Sequence, residues 1–313
     1  MSSNRFGQQG YEQQQQQAPR RRGLFGNVRW WILLLFAGYA AFNWFGSKEI
    51  DPYTGESAHY GATPQEESQL GAQAYQQVLG DAQAQRALLP ANDPTSQQIR
   101  QIAQRLVARV PQVAADLAAL HNQPMPDLSS YQWDVNVIQS EEANAFCLPG
   151  GKIAVYTGLI PVAKNADAMA VVMGHEIAHA LQRHGAQRMA QQKLVQIGSI
   201  AASMSTGDMD PQQRQMVMAA IGAGAQYGVI LPFSRSHESE ADKVGLLLAA
   251  AACYDPREAP KLWERMAALG NQKPPEFMST HPAEGTRINQ LNEWMPEAMQ
   301  VRQQFCGTTP VAP

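Results

Sequence analysis

His175-Glu176-Ile177-Ala178-His179 is the stretch on which the reading of this chain turns. On an α-helix, residues four apart lie about 40° apart around the axis and about 6 Å along it. Both imidazoles then leave one face, close enough to hold a single zinc ion through nitrogen at roughly 2.0–2.1 Å. Glu176 follows the first of them and is placed to act as general base on a water at the metal. This spacing is a metalloprotease signature. The apolar run Ala168 to Met173 predicts that the helix is buried, with Asp167 as its N-cap and Gly185, after His184, as the left-handed residue that ends it. A buried helix with two His and a Glu in its middle needs partners for them.

A catalytic zinc usually takes three protein ligands and leaves one position for water. The best supplier of the third is Ser234-Arg235-Ser236-His237-Glu238-Ser239-Glu240-Ala241-Asp242-Lys243-Val244-Gly245. Pro232 and the serines mark a helix start, which puts Glu238 early in the helix and Asp242 one turn on, on the same face. Glu238 is the expected ligand, completing a His₂Glu set, with His237 as its rival. Asp242 is expected to accept the remaining N–H of a ligand His and fix its tautomer. Gly245 continues that face and would let another helix come close. Glu240 points away from it.

Upstream, Tyr131 to Val137 alternates with period two and predicts a half-buried strand. Asn144-Ala145-Phe146-Cys147-Leu148-Pro149-Gly150-Gly151-Lys152-Ile153-Ala154-Val155-Tyr156 predicts a hairpin about its Pro-Gly-Gly turn. A strand beside the cleft would bind an extended peptide by β-augmentation, which makes Asn144, Ala145 and Phe146 candidate substrate contacts. The same pattern also suits a strand simply buried in the sheet.

The chain begins with a Gln-, Gly- and Arg-rich tract over 1–27, too polar to build a core. Arg20, Arg21, Arg22 and Arg29 precede an uncharged run, Trp30 to Phe45, bounded by Trp30, Trp31 and Trp44. That pattern predicts a transmembrane anchor over 28–46, with the arginines cytoplasmic and the remainder outside. A cleaved signal peptide is the rival, disfavoured by the lack of an A-x-A-like site at Asn43-Trp44-Phe45-Gly46. A linker is expected over 47–65. Amphipathic helices are expected over Glu66 to Leu79 and Thr95 to Val110. Lys193 to Met204 and Pro211 to Leu231 are rich in small and apolar residues and suit either membrane segments or, the preferred reading, a soluble helical lid.

Over 313 residues, Lys+Arg 24 against Asp+Glu 27 gives a net charge of −3, with no argument for a nucleic-acid partner. No G-x-x-x-x-G-K-[ST] motif is present, so no nucleotide is expected. Cys147, Cys253 and Cys306 lack metal-binding spacing. In an oxidising compartment Cys253–Cys306 is the favoured pair, and three free thiols is the alternative.

The H-E-x-x-H helix, the later Glu238-Ser239-Glu240-Ala241-Asp242 and the upstream Asn144-Ala145-Phe146 with Pro149-Gly150-Gly151 together resemble the M48 family of zinc metallopeptidases, in its Oma-like and periplasmic branch. The resemblance implies an α+β, mainly helical zincin-type (gluzincin) domain over 66–307 with a small β-sheet beside the zinc helix and a short tail at 308–313. It implies Zn²⁺ on His175, His179 and Glu238, with Asp242 matching the family's Asp. Ser279-Thr280-His281-Pro282 and Arg287 resemble the family's S-T-H-P…R segment, which implies that His281 lies near the cleft as a transition-state donor or as a gate over the metal. The expected activity is a membrane-anchored zinc endopeptidase of the bacterial periplasm, ATP-independent, acting on unfolded or flexible envelope proteins. The alternatives are a chaperone-like peptide binder and a self-inhibited site closed by His281.

Overall fold

The computed structural model describes residues 29–205, 235–270, 277, 281 and 285–307. The expected tails at 1–27 and 308–313 and the 211–231 segment lie outside them. The uncharged run forms helix α1, Trp30–Gly46. Its 17 residues give a length of about 26 Å. No described helix is long and apolar enough to cross a membrane. Helix α1 packs along a later helix, α7 (His184–Ser205), and the Arg29 N–H donates to the Ser205 carbonyl at 3.2 Å. Trp30, Leu34 and Phe42 remain exposed. The part of the expected lid at Lys193–Met204 is helical but lies against α1.

The stretch 47–65, expected to be a linker, is instead built into the fold. Strands β1 (Lys48–Ile50) and β2 (Ser57–His59) form an antiparallel hairpin. At its turn the buried Asp51 accepts the Tyr53 N–H at 2.7 Å, the Thr54 N–H at 3.2 Å and the Tyr60 hydroxyl at 3.2 Å. Tyr53 and Tyr60 are buried and supply the apolar area that a Gly/Pro/Ser/Thr composition conceals. Helix α2 (Pro64–Ala84) opens on a reciprocal cap between Thr63 and Glu66, and α3 (Pro94–Val107) on the Asp93 side chain. A short break separates α3 from α4 (Val110–Leu120).

The three-stranded sheet has order β3-β5-β4. Strand β3 (Asp134–Ile138) runs parallel to β5 (Lys152–Tyr156), and β4 (Ala145–Leu148) pairs antiparallel with β5 as an edge strand. The turn between β4 and β5 places Gly150 and Gly151 at φ 79° and 82°, where L side chains are strained. Alternation along β4 sends Ala145 and Cys147 into the main core, and Phe146 and Leu148 against Tyr75 of α2.

After the short α5 (Ile160–Ala163) comes α6, Ala166–Leu181, which carries the H-E-x-x-H motif in a wholly buried segment. Its N-cap is Asn165, whose side chain accepts the Ala168 N–H at 2.8 Å, and not Asp167. Asp167 instead accepts the Asp255 N–H at 2.9 Å. Helix α6 also stops short of the expected end: Arg183, not Gly185, takes the positive φ (55°), and Gly185 lies inside α7. Three more helices complete the described residues: α8 (Arg235–Ala251), α9 (Glu258–Gly270) and α10 (Gly285–Cys306). Helices α6 and α8 cross where Gly174 meets Gly245; a Cβ on Gly245 would stand 2.6 Å from the His175 nitrogen. A Cys253–Cys306 disulfide, with Cα atoms 5.6 Å apart, ties the chain just after α8 to the end of α10. Cys147 is a buried free thiol.

Candidate metal centre

Helix α6 supplies His175 and His179 one turn apart, and α8, locked against it at the glycine crossing, supplies Glu238. His281 joins them, and one donor atom from each of the four lies within 4.8 Å of the others. All four residues are buried. His175 Nε2 is 3.1 Å from His179 Nε2, 3.3 Å from His281 Nδ1 and 3.5 Å from Glu238 Oε2. Glu238 Oε1 is 3.5 Å from His179 Nε2 and 3.0 Å from His281 Nδ1. Four ligands at roughly 2.0–2.1 Å from a tetrahedral zinc stand about 3.3–3.4 Å apart. The spacing, and a donor set of three imidazoles and one carboxylate, therefore fit zinc.

The surroundings aim these donors inward. His175 Nδ1 is 2.9 Å from Asp242 Oδ1, which leaves Nε2 for the metal. Asp242 is in turn gripped by Arg287 of α10, with Nε and Nη2 each at 2.7 Å from one of its oxygens. Arg287 Nη1 also reaches Glu238 Oε2 at 2.9 Å, and its guanidinium stacks 3.6 Å over the Trp263 ring. On the other side, His179 Nδ1 meets His184 Nδ1 at 2.8 Å, and His184 Nε2 lies 3.2 Å from Glu240 Oε2.

Charge follows from these contacts. Burial opposes a charge on His175, yet Asp242 and Glu238 outweigh it and raise its pKa to about 9, a proton that a metal would displace. Burial would likewise raise Glu238, but His175 and His281 hold it well below the carboxylate range. Burial, with His175 as the next cause, keeps His179 neutral, and burial lowers His184 to about 3. Glu176 is also buried, and desolvation raises its pKa; its Oε1 stands 3.4 Å from His281 Nε2.

The other expected site residues fall in several places. His237, the rival ligand, stays outside the cluster: it stacks on His184 at 4.4 Å and meets Gln187 Oε1 at 2.9 Å. Asn144 and Ala145 lie at the start of the edge strand, where Asn144 Oδ1 accepts the Ala145 N–H at 2.9 Å. Phe146 turns its ring away from the metal side, toward Tyr156 and α2. Because the Tyr156 N–H donates to the Asn144 carbonyl, Ala145 and Cys147 are the residues whose main-chain groups face outward from the sheet. Sequence reasoning missed the contacts of His184 with His179, of Glu240 with His184, and of Arg287 with Asp242 and Glu238.

An H-E-x-x-H helix and a carboxylate from a later helix, in a mainly helical fold with small sheets, bring a His/Glu cluster together as a metal site. The chain belongs to Peptidase family M48, whose profile matches residues 104–295. It is 34% identical over 239 residues to the mitochondrial metalloendopeptidase OMA1 of Schizosaccharomyces pombe, covering 76% of this chain and 63% of that protein. It is 30% identical over 288 residues to the mitochondrial metalloendopeptidase OMA1 of Saccharomyces cerevisiae, covering 88% and 77%. A third similarity is to the beta-barrel assembly-enhancing protease of Escherichia coli, 30% over 182 residues, or 54% of this chain and 36% of that one.

Proposed function

We propose that this protein is a membrane-associated zinc endopeptidase that cleaves unfolded or flexible polypeptides without ATP. The observation that carries the reading is the convergence of His175, His179 and Glu238 beside a buried Glu176 that is not itself one of the clustered donors. His175, His179 and Glu238 would hold a zinc ion, and its chemistry there would be to acidify a water and polarise a carbonyl. Glu176 takes the proton of the attacking water on a carboxylate oxygen and hands it to the leaving amine, a role suited to a carboxyl whose pKa is raised by burial. The outward main-chain groups of Ala145 and Cys147 hold the substrate as an added strand. Contacts of that kind are independent of substrate side chains and suit extended, unfolded segments. Asn144 positions that edge, while Phe146 supports it from behind.

The test is chelator-sensitive hydrolysis of an unfolded protein by the full chain, with Glu176→Gln beside it. The variant retains zinc and loses turnover by about 10²–10⁴-fold. Unchanged turnover with zinc in place refutes the mechanism.

A second reading concerns regulation and rests on His281 Nδ1, which sits within the ligand cluster at 3.0 Å from Glu238. Four protein ligands describe a closed site. In this reading His281 withdraws to admit substrate and then faces the cleft through Nε2. His281→Ala then retains zinc and turns over faster; zinc loss in that variant makes His281 an obligatory ligand instead.

For location, we infer a seat at a membrane through α1, whose exposed Trp30, Leu34 and Phe42 lie beside the uncharged Leu194–Ser205 half of α7. The Cys253–Cys306 disulfide favours an oxidising, periplasm-like side for the metal centre. Sedimentation with vesicles, and its loss on Leu34→Lys with Phe42→Lys, is the corresponding check.

A further inference from the structure

We propose that His184 and Glu240 form a proton-ordered relay that sets the tautomer in which His179 meets the metal. His184 is a positioning residue one imidazole removed from the zinc, and Glu240 is the acceptor that fixes the direction of the chain. This rests on the zinc reading of the site but not on peptide cleavage.

The argument is a matter of counting protons. A neutral imidazole carries one N–H and one lone pair. His179 offers Nε2 to the metal cluster, so its proton must sit on Nδ1. Facing Nδ1 is His184 Nδ1 at 2.8 Å, and two nitrogens at that distance share one proton. His184 Nδ1 is therefore the acceptor, and the His184 proton must sit on Nε2. There it faces Glu240 Oε2 at 3.2 Å, and an ionised carboxylate only accepts.

Run in the opposite sense, the chain would put a proton on His179 Nε2, 3.1 Å from His175 Nε2, and close the lone pair to metal. That order would also need Glu240 to carry a proton and donate it to His184 Nε2, whereas in the order the metal requires Glu240 Oε2 simply accepts. Stacking of His184 on His237, at 4.4 Å and 17° between planes, holds the ring in the required plane, and Gln187 holds His237 in turn. His184 has no solvent exposure, so water does not compete for its nitrogens.

The two ligand histidines are thus oriented by different devices. His175 uses a carboxylate directly, Asp242. His179 uses a carboxylate at one remove, Glu240 acting through His184. Glu238 and Glu240 leave opposite sides of α8 and serve the same centre, one as donor to the metal and one as the end of the relay.

The experiment measures zinc affinity of the full chain by competition with a chromogenic chelator. His184→Leu removes the acceptor and weakens zinc by about 10–100-fold. His184→Asn places an amide oxygen close to where Nδ1 stood and restores affinity to within about threefold of the parent. Glu240→Lys puts a donor where the relay needs an acceptor and weakens zinc, with α8 still helical by circular dichroism. Equal losses in His184→Leu and His184→Asn, or unchanged affinity in Glu240→Lys, overturn the proposal. As a measurement that needs no variant, ¹⁵N-histidine spectra of the zinc-loaded parent report the protonated nitrogen of each ring. The relay requires Nδ1–H on His179 and Nε2–H on His184; a His184 proton on Nδ1 overturns it. Loss of peptide cleavage alone, with these affinities and tautomers as stated, would count against the peptidase reading and leave the relay standing.

Discussion

Gly245→Ala is the sharpest test of how the metal centre is built. A Cβ at this position would lie 2.6 Å from the His175 nitrogen and 2.8 Å from both Gly174 C and His175 Cα. All three atoms are main chain, so no rotamer change relieves the contact. Attractive contact between such atoms begins at about 3.5 Å, so α6 and α8 must part by about 0.7 Å or more. Overpacking of this kind typically costs about 1–3 kcal/mol. Helix α6 carries His175 and His179 while α8 carries Glu238, and metal–ligand distances tolerate only about 0.2 Å. The separation is therefore expected to weaken zinc at least about tenfold, equivalent to about 1.4 kcal/mol. Urea unfolding with and without zinc, together with chelator competition, reads both effects. The control is Gly198→Ala in α7, where a Cβ meets nothing within 4 Å and better helix propensity should add up to about 1 kcal/mol. If Gly245→Ala matches the parent within about 0.5 kcal/mol and twofold in zinc affinity, the helices are not held by backbone contact, and this account of the site is wrong.

Three further outcomes are expected. Burial raises Asp51 from its ordinary 3.8 to about 6, so the folded state binds the proton more tightly than the unfolded one. The stability linked to that proton is full below pH 4 and is lost as pH rises through 6, by about 3 kcal/mol; Asp51→Asn should flatten this part of the stability profile, and a parallel profile contradicts it. Arg287→Ala leaves Asp242 and Glu238 without their buried guanidinium and should destabilise the chain by about 3–5 kcal/mol, with Arg287→Lys recovering charge but not the two-pronged grip; full stability in Arg287→Lys would show that the fork geometry is dispensable. Replacing both Cys253 and Cys306 by Ser opens a loop of 53 residues and should lower unfolding stability by about 4 kcal/mol, measured without reductant; a change below about 1 kcal/mol would mean that the linkage adds little constraint.

Much of the site is legible because its spacing is local. His175 and His179 sit four apart on one helix, Glu238 and Asp242 repeat that spacing on another, and Gly245 follows three residues on along the same face. The hairpin could be read from Pro149-Gly150-Gly151, since the turn demands residues that accept positive φ. What escaped is non-local. Five residues along an unbroken helix would carry His184 to a different face from His179, and only the corner at Arg183 returns it to contact. Glu240 looks outward from the metal because its partner lies on the far side of a ligand ring. Asp167 and Asn165 are both good caps, and the choice between them turns on the Asp255 N–H, 88 residues away in sequence. The 47–65 stretch reads as a linker because two tyrosines among turn residues carry no periodicity, yet Tyr53 and Tyr60 find a core to enter.

The corner at Arg183 also bears on where the working unit begins. A non-glycine residue with positive φ persists only when its surroundings insist on it. Here the guanidinium is held by Glu67 of α2 at 2.6 Å, by the Ala62 carbonyl at 2.7 Å and by the Tyr60 ring at 4.0 Å. All three precede residue 104, where the match to the family begins. Trimming the chain to its family-defined portion would keep every metal-binding side chain and discard the brace that turns α6 into α7. Domain boundaries drawn by similarity and by mechanics therefore differ in this protein, and the mechanical one starts at the β1–β2 hairpin.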